Sequence, residues 1–352
     1  MSVSKHSRFL HLGVLLAGLA AVAGVSWFIW EARREGFDSG AFWASMRHAD
    51  WRWLTVTSLL MILSYYGRAL RWAVMIEPLR PHPSHWGLFK ATAIGFTAVV
   101  LLGRPGELVR PYLIAQNEKI PFASQLAAWL IERVYDILMV VGLFGFALAY
   151  VGRKGADAPP AARLAMQTGG WVAGVGAVIC LLVLFALHRW SDDLHNRVSD
   201  VMSAFGIAAS PAVEEKLQAL SDGLNATRKL SSVLRLLAWS ILEWGIISAG
   251  YVAFFRAFPD TAAFTLAQTL VYVGFVAFGS IIQIPGIGGG IQVVSTVVLV
   301  EFFGVKLESA TSISILVWAV AMLLVVPIGL TLALHDGLRL AKLKSIASEI
   351  EQ

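Results

Sequence analysis

Apolar runs long enough to cross the roughly 30 Å hydrocarbon core of a bilayer recur along this chain, at about residues 9–30, 53–76, 122–151, 170–187, 232–255 and 309–334. In lipid every backbone N–H and C=O must find its partner inside the protein, which restricts spanning structure to helices or closed barrels; apolar runs of this length read as helices. Composition agrees: of 352 residues 57% are hydrophobic and 14% charged, against about 25% charged in a soluble domain. The expected fold is an all-α polytopic membrane protein, residues 1–352 forming one integral membrane domain. The longest polar stretch, about 189–230, is too short for a second globular domain.

Two further apolar stretches are broken where they should be continuous. The first is the run 88–102, followed by Gly103-Arg104-Pro105-Gly106-Glu107-Leu108-Val109-Arg110. A helix entering lipid there carries Arg104, Glu107 and Arg110 with it, at roughly 2.5–3.5 kcal/mol for each ionised group. Pro105 and Gly106 also break the helix, which membrane depth tolerates only where protein or a water-filled cavity satisfies the backbone. The second break separates runs 262–284 and 291–303 with Pro285-Gly286-Ile287-Gly288-Gly289-Gly290. Each region reads as an apolar segment, a Pro-Gly turn, a second short segment and then a full span. We therefore expect two re-entrant helical hairpins, at about 88–120 and 262–303, with Gly103, Pro105, Gly106, Pro285, Gly286, Gly288, Gly289 and Gly290 as turn residues.

About six full transmembrane helices remain. Run 9–30 reads as an uncleaved anchor, since it continues to Trp27 and Trp30 as an interfacial belt would. With the amino terminus inside, Lys5, Arg8, Arg80, Lys90, Lys119, Arg189, Lys216, Lys229 and the basic tail at 336–352 fall on the cytoplasmic side, in accord with the positive-inside rule. Both termini are then cytoplasmic and the hairpins enter from opposite sides. A first half (1–188), a cytoplasmic segment (189–230) and a second half (231–335) make an inverted repeat. Transporters of that plan bring unwound segments together near the midplane and point half-helix amino termini at an anionic group.

The charges admit two readings. Free N–H groups at the first turn with the forks of Arg104 and Arg110 make a phosphate site; alternatively Glu107 neutralises both arginines as a structural brace. On the next span Glu132 and Asp136 share a helix face and Arg133 reaches Asp136 at i, i+3. The reading preferred is that these carboxylates anchor Arg104 and Arg110 rather than do acid–base chemistry. Three arginines and three carboxylates leave the pocket net neutral, open to a phosphate by exchange of pairs or to a zwitterion without it. Arg68 and Arg71, on one helix face, are expected to snorkel to the interface beside Trp72. Glu243 is either a proton-coupling carboxylate or a buried partner for Arg68 or Arg71. Gln283 and Gln292 either line a headgroup path or make ordinary interhelical hydrogen bonds. Residues 214–224 have helical periodicity and are expected at the surface.

Several classes are disfavoured. The formal net charge of +5 is carried at helix ends, where it sets orientation or meets lipid headgroups, so nucleic acid is not an expected partner. The glycine-rich turn lacks the Lys and Ser/Thr of a nucleotide-binding loop. One cysteine, Cys180, and scattered histidines provide no metal-ligand spacing. No metal or other cofactor is expected.

Three segments, Gly103-Arg104-Pro105-Gly106-Glu107-Leu108-Val109-Arg110-Pro111-Tyr112-Leu113, Glu132-Arg133-Val134-Tyr135-Asp136 and Pro285-Gly286-Ile287-Gly288-Gly289-Gly290, resemble, in order and spacing, the signature segments of the lysylphosphatidylglycerol synthase transmembrane, or flippase-like, family. In that family's best-understood members the membrane region moves aminoacylated phosphatidylglycerol between leaflets and a separate soluble domain transfers the amino acid, while relatives without the soluble domain are linked to varied lipids. The chain ends soon after Arg339, so the expectation is of lipid handling without the transferase, not an enzyme. The resemblance implies a lipid flippase or transporter of the bacterial inner membrane, binding an anionic or zwitterionic headgroup at Arg104, Glu107, Arg110, Glu132, Arg133, Asp136, Gln283 and Gln292. It also allows a homodimer or lipid-synthesis enzymes as partners. The alternatives are a membrane enzyme acting on a lipid-linked phosphate or sugar, and a non-transporting scaffold for lipid synthesis.

Overall fold

The computed structural model describes residues 36–154, 160–190, 218–224, 229–280, 283–284 and 288–337; for 151–154, 160–167, 187–190, 283–284 and 288 the backbone alone is described. The expected anchor at 9–30, the tail beyond 337, and Pro285, Gly286 and Ile287 lie outside these residues. Within them the chain is helical: α1 (Ser39–Arg47), α2 (Trp51–Ile76), α3 (His85–Leu102), a 3-10 turn (Arg104–Leu108), α4 (Val109–Glu118), α5 (Phe122–Lys154), α6 (Pro160–Trp190), α7 (Leu230–Arg256), α8 (Leu266–Gly279), α9 (Gly290–Glu301), α10 (Leu307–Trp318), a π turn (Ala319–Leu323) and α11 (Val325–His335). The exception is a pair of two-residue strands, β1 (Gln283–Ile284) and β2 (Gly288–Gly289), at the turn between α8 and α9. Five segments are long and apolar enough to cross a membrane: Trp51–Ile76, His85–Leu102, Thr168–Ala186, Leu230–Arg256 and Leu307–His335. Helix α5, at 33 residues, is about 50 Å long at ~1.5 Å per residue and holds Glu132, Arg133 and Asp136 in its course. This is an all-α polytopic membrane protein.

Local chemistry sets the helix starts. Asp38 accepts the Gly40 and Ala41 N–H groups at α1, Asp50 that of Arg52 at α2, and Ser84 that of Gly87 at α3. Thr265 and Gln268 form a reciprocal capping box at α8. Each cap satisfies N–H groups that have no partner within their own helix.

The first broken region is an antiparallel hairpin. Helix α3 ends at Gly103, whose φ of +73° suits only glycine. The chain then folds back so closely that a Cβ on Gly106 would stand 2.4 Å from the Ala98 carbonyl, and one on Gly95 would meet the Arg110 side chain. At the far end Glu118 accepts the N–H of Ser84 at 3.2 Å, so the hairpin returns to the end from which it started. Pro105 lies in the opening turn as expected, but that turn is 3-10 and the α-helix begins only at Val109. In the second hairpin β1 and β2 pair Gln283 with Gly289 and Ile284 with Gly288. Gly279 lies against the Gly290 carbonyl and Val294, and the Tyr272 and Ser295 hydroxyls join at 2.6 Å.

Long helix, hairpin, long helix is thus an order that occurs twice, and the two sets exchange partners. Helices α2 and α7 pack along each other. Helix α5, which follows the first hairpin, packs on α8 of the second, Phe144 against Gly274. Helix α11, which follows the second, packs on α3 of the first, with Gly329 against Thr97 and the Ala93 carbonyl. One end of the bundle gathers the Lys90–Asp336, Arg80–Glu118 and Arg235–Glu77 ion pairs. At the other end the Asp50 N–H binds the Ala257 carbonyl and Ser312 binds Ser45.

Two elements depart from expectation. The mixed-charge loop after the first expected span contains α1, docked on α10. Its signal was Asp38 ahead of Ser39 and Gly40, a cap with too short an apolar pattern behind it. Residues 218–224 do not lie free at the surface: Ser221 and Leu224 are buried, and Gly223 abuts Ser124 and Ala127 of α5. Periodicity showed an amphipathic face there without showing what covers it.

Candidate functional site

Seven charged side chains from four helices meet inside the bundle. Helix α2 supplies Arg68 and Arg71, α4 Arg110, α5 Glu132, Arg133 and Asp136, and α7 Glu243. Glu132, wholly buried, is the hub. It accepts Arg71 at 2.9 Å and Arg133 at 3.2 Å, and receives the Arg110 fork on both oxygens. Asp136, one turn on, takes Arg71 at 2.8 Å, Arg133 at 3.2 Å and Arg68 at 3.5 Å. The Glu243 oxygens stand 3.0 and 3.4 Å from Arg68 and Arg71 without hydrogen-bond geometry.

Aromatic and polar neighbours hold these groups. The Arg110 guanidinium lies 4.2 Å from the centroid of the Trp72 ring and 5.4 Å from that of Phe96. Trp72 is pinned by its indole N–H to Gln125 at 2.9 Å. Ser240 accepts Arg71 at 3.1 Å, and Trp244 donates to Asp136 at 3.4 Å. Gathering opposite charges in one place is what lets ionised groups persist at this depth, since each alone would be costly.

Beside the cluster is a cavity of about 520 Å³, within the roughly 300–1,000 Å³ of small-molecule sites. One part of its wall is Arg68, Arg104, Glu107, Arg110, Arg133 and Asp136; most of the rest is apolar, with Phe96, Val140, Ile247, Val276, Phe278 and Met322 among its members. It therefore has an amphiphile's character. Residues from α2, both hairpins, α5, α7 and the π turn contribute, and Tyr65 on its wall donates to the Ala321 carbonyl of that turn at 2.9 Å.

Of the residues singled out from sequence, Arg104, Glu107, Arg110, Arg133 and Asp136 line this cavity. Glu132 sits behind them. Arg104 and Glu107 form a pair at 2.7 Å, with Arg104 half exposed, so Glu107 does not clamp Arg110, which belongs to Glu132. Gln292 accepts the Gly289 N–H at 2.7 Å and is not among the lining residues; the Gln283 side chain is outside the described residues. Arg68 and Arg71 do not snorkel: Arg71 is fully buried and Arg68 nearly so. Their carboxylate partners lie on α5 and α7, distant in sequence. Glu243 is their partner, and that mid-span carboxylate was the signal that two cations should be sought inside. The cluster is consequently not three against three; four arginines face three carboxylates, with the Arg104–Glu107 pair at its rim. Trp72 and Gln125 carried no signal of their own. Among the described residues no group of His, Cys, Asp and Glu could hold a metal ion.

Fold and site together define a polytopic helical membrane protein with a charged cavity inside its helix bundle. The family model for the lysylphosphatidylglycerol synthase TM region matches residues 15–329, and the chain belongs to that family. It is also similar to the glycosyltransferase AglD of Haloferax volcanii, at 28% identity over 130 residues, which is 37% of this chain and 21% of that protein. The chain thus matches about a fifth of that relative's length. No solved structure matches it.

Proposed function

We propose that this protein moves a lipid between the leaflets of the bacterial inner membrane. The observation that carries the reading is the cavity, whose wall changes from four arginines to an apolar surface within the membrane-spanning bundle. A lipid headgroup would exchange into the ion pairs of Arg68, Arg104, Arg110 and Arg133, with Glu107 and Asp136 beside them and Glu132 holding the array from behind. Its tails would follow the apolar wall. The half-helices α4 and α9 both begin near the cavity, where Glu107, Arg110 and Ile291 line it, and their amino-terminal dipoles favour an anion. The exchange of partners between the two helix–hairpin–helix sets supports an inverted repeat of re-entrant hairpins, and alternating access would be relative motion of these sets. The bundle end bearing Arg80, Lys90, Lys119 and Arg235 would face the cytoplasm.

The test is reconstitution into liposomes with fluorescent phospholipid. Leaflet exchange should be protein-dependent and fall at least tenfold in Arg110→Ala; exchange equal to that of empty liposomes would reject the proposal.

The match to a protein named as a glycosyltransferase favours a second reading, a membrane enzyme acting on a lipid-linked sugar. In that case incubation of the purified chain with a polyprenyl-phosphate sugar donor would form product without lipid exchange.

A further inference from the structure

Resting on the lipid-moving reading, we infer that the cavity selects lipids whose headgroup carries one net negative charge, a phosphodiester with no compensating cation, over zwitterionic lipids. The cluster and its rim contain five guanidinium groups, on Arg68, Arg71, Arg104, Arg110 and Arg133, and four carboxylates, on Glu107, Glu132, Asp136 and Glu243. With all ionised, one positive charge is in excess among the described residues. The cavity wall itself carries four of those arginines and only two of those carboxylates. The Nε–H of Arg133, on that wall, has no acceptor among the described residues.

A charge in excess inside a membrane-spanning bundle is expensive, and an anion arriving beside it relieves that cost, whereas a zwitterion brings its own cation into the same space. Opposite charges a few ångströms apart in such surroundings attract far more strongly than in water. The apolar remainder of the wall favours a phosphodiester attached to tails over the same headgroup free in solution. Trp129 and Trp244, both lining the cavity, add apolar area next to the arginines.

The experiment is retention of added lipid by the purified full chain in detergent, read by native mass spectrometry. Phosphatidylglycerol and phosphatidylethanolamine compete, and glycerophosphoglycerol serves as the tailless phosphodiester. Phosphatidylglycerol should be retained at least about tenfold over phosphatidylethanolamine, and glycerophosphoglycerol should not displace it at equal concentration. Arg68→Gln, which brings the count to zero, should erase the preference. Glu243→Gln, a residue off the cavity wall, should increase it, and the double variant should restore it. Glu243→Gln keeps the charge count testable if Arg68→Gln does not fold.

Equal retention of the two lipids by the wild type, or a preference that ignores these changes, would overturn the inference; displacement by glycerophosphoglycerol would overturn its lipid part. Liposome exchange run in parallel separates the two claims. Equal protein-dependent exchange of both lipids would sink the charge selection and keep transport. Selective retention with no exchange would keep the selection and sink transport.

Discussion

Glu132 is fully buried, and its two oxygens receive guanidinium groups from Arg71, Arg110 and Arg133. Replacing it by Gln keeps the shape and removes the charge, leaving Arg110 on Trp72 without its carboxylate. Breaking one partner out of a buried ion pair costs about 3–5 kcal/mol, so Glu132→Gln should lower the thermal midpoint in detergent far more than Glu107→Gln, whose partner Arg104 is half exposed. A comparable midpoint for the two variants would show that the cluster does not brace the fold. Gly106→Ala is the second test at this scale. Its Cβ would meet backbone of Ala98 and Val99 within 2.5 Å, and overpacking of this kind costs roughly 1–3 kcal/mol; melting unchanged from wild type would contradict the close approach. Arg104, Glu107, Arg110, Glu132, Arg133 and Asp136 were visible in sequence because charge inside an apolar run is conspicuous. Their pairing was not. Arg110 has carboxylates at Glu107 and Glu132 to choose from, and only the hairpin's fold decides that Glu132 takes it.

The first hairpin and α11 are held together near the bundle end by Lys90, whose Nζ lies 2.8 and 2.7 Å from the two Asp336 oxygens. These hydrogen bonds hold the Asp336 carboxyl below the usual carboxylate range. A folded-state value below the unfolded one, which is about 3.9, gives stabilisation fully present above that value and lost as pH falls through the folded one. The stability gap between wild type and Asp336→Asn should therefore be flat from about pH 8 to 5 and shrink below about 4. It should not exceed about 1 kcal/mol, because both groups are partly in water. A gap that widens on acidification would contradict the sign. Element positions were legible from apolar runs and caps, with the first hairpin found at His85–Glu118 against an expected 88–120. The π turn at Ala319–Leu323, which interrupts the last rod beside the cavity, was not legible, since nothing local distinguishes its residues from α-helical ones.

In the whole molecule, the lipid-moving proposal requires the cavity between the two helix–hairpin–helix sets to stay open. Ala277 lines its apolar part. Ala277→Trp should reduce lipid exchange in liposomes at least tenfold while the protein stays monodisperse and melts within a few degrees of wild type; full exchange by a folded Ala277→Trp would place the lipid path elsewhere. The sequence by itself determined that this chain is a helical membrane protein with two broken segments, because hydrocarbon admits few backbones and punishes charge and Pro-Gly pairs. It also determined most of the charged residues on the cavity wall. Only the tertiary structure decided that Arg68 joins them on the wall, that Arg71 and Glu243 pair in the cluster behind it, and that the Arg104–Glu107 pair stands at the rim. It alone set five arginines against four carboxylates in and around the site, among the described residues. The reason is physical: an ion pair forms where two side chains meet in space, and here the partners lie on α2, α4, α5 and α7, brought together by helix packing that no stretch of the chain encodes alone.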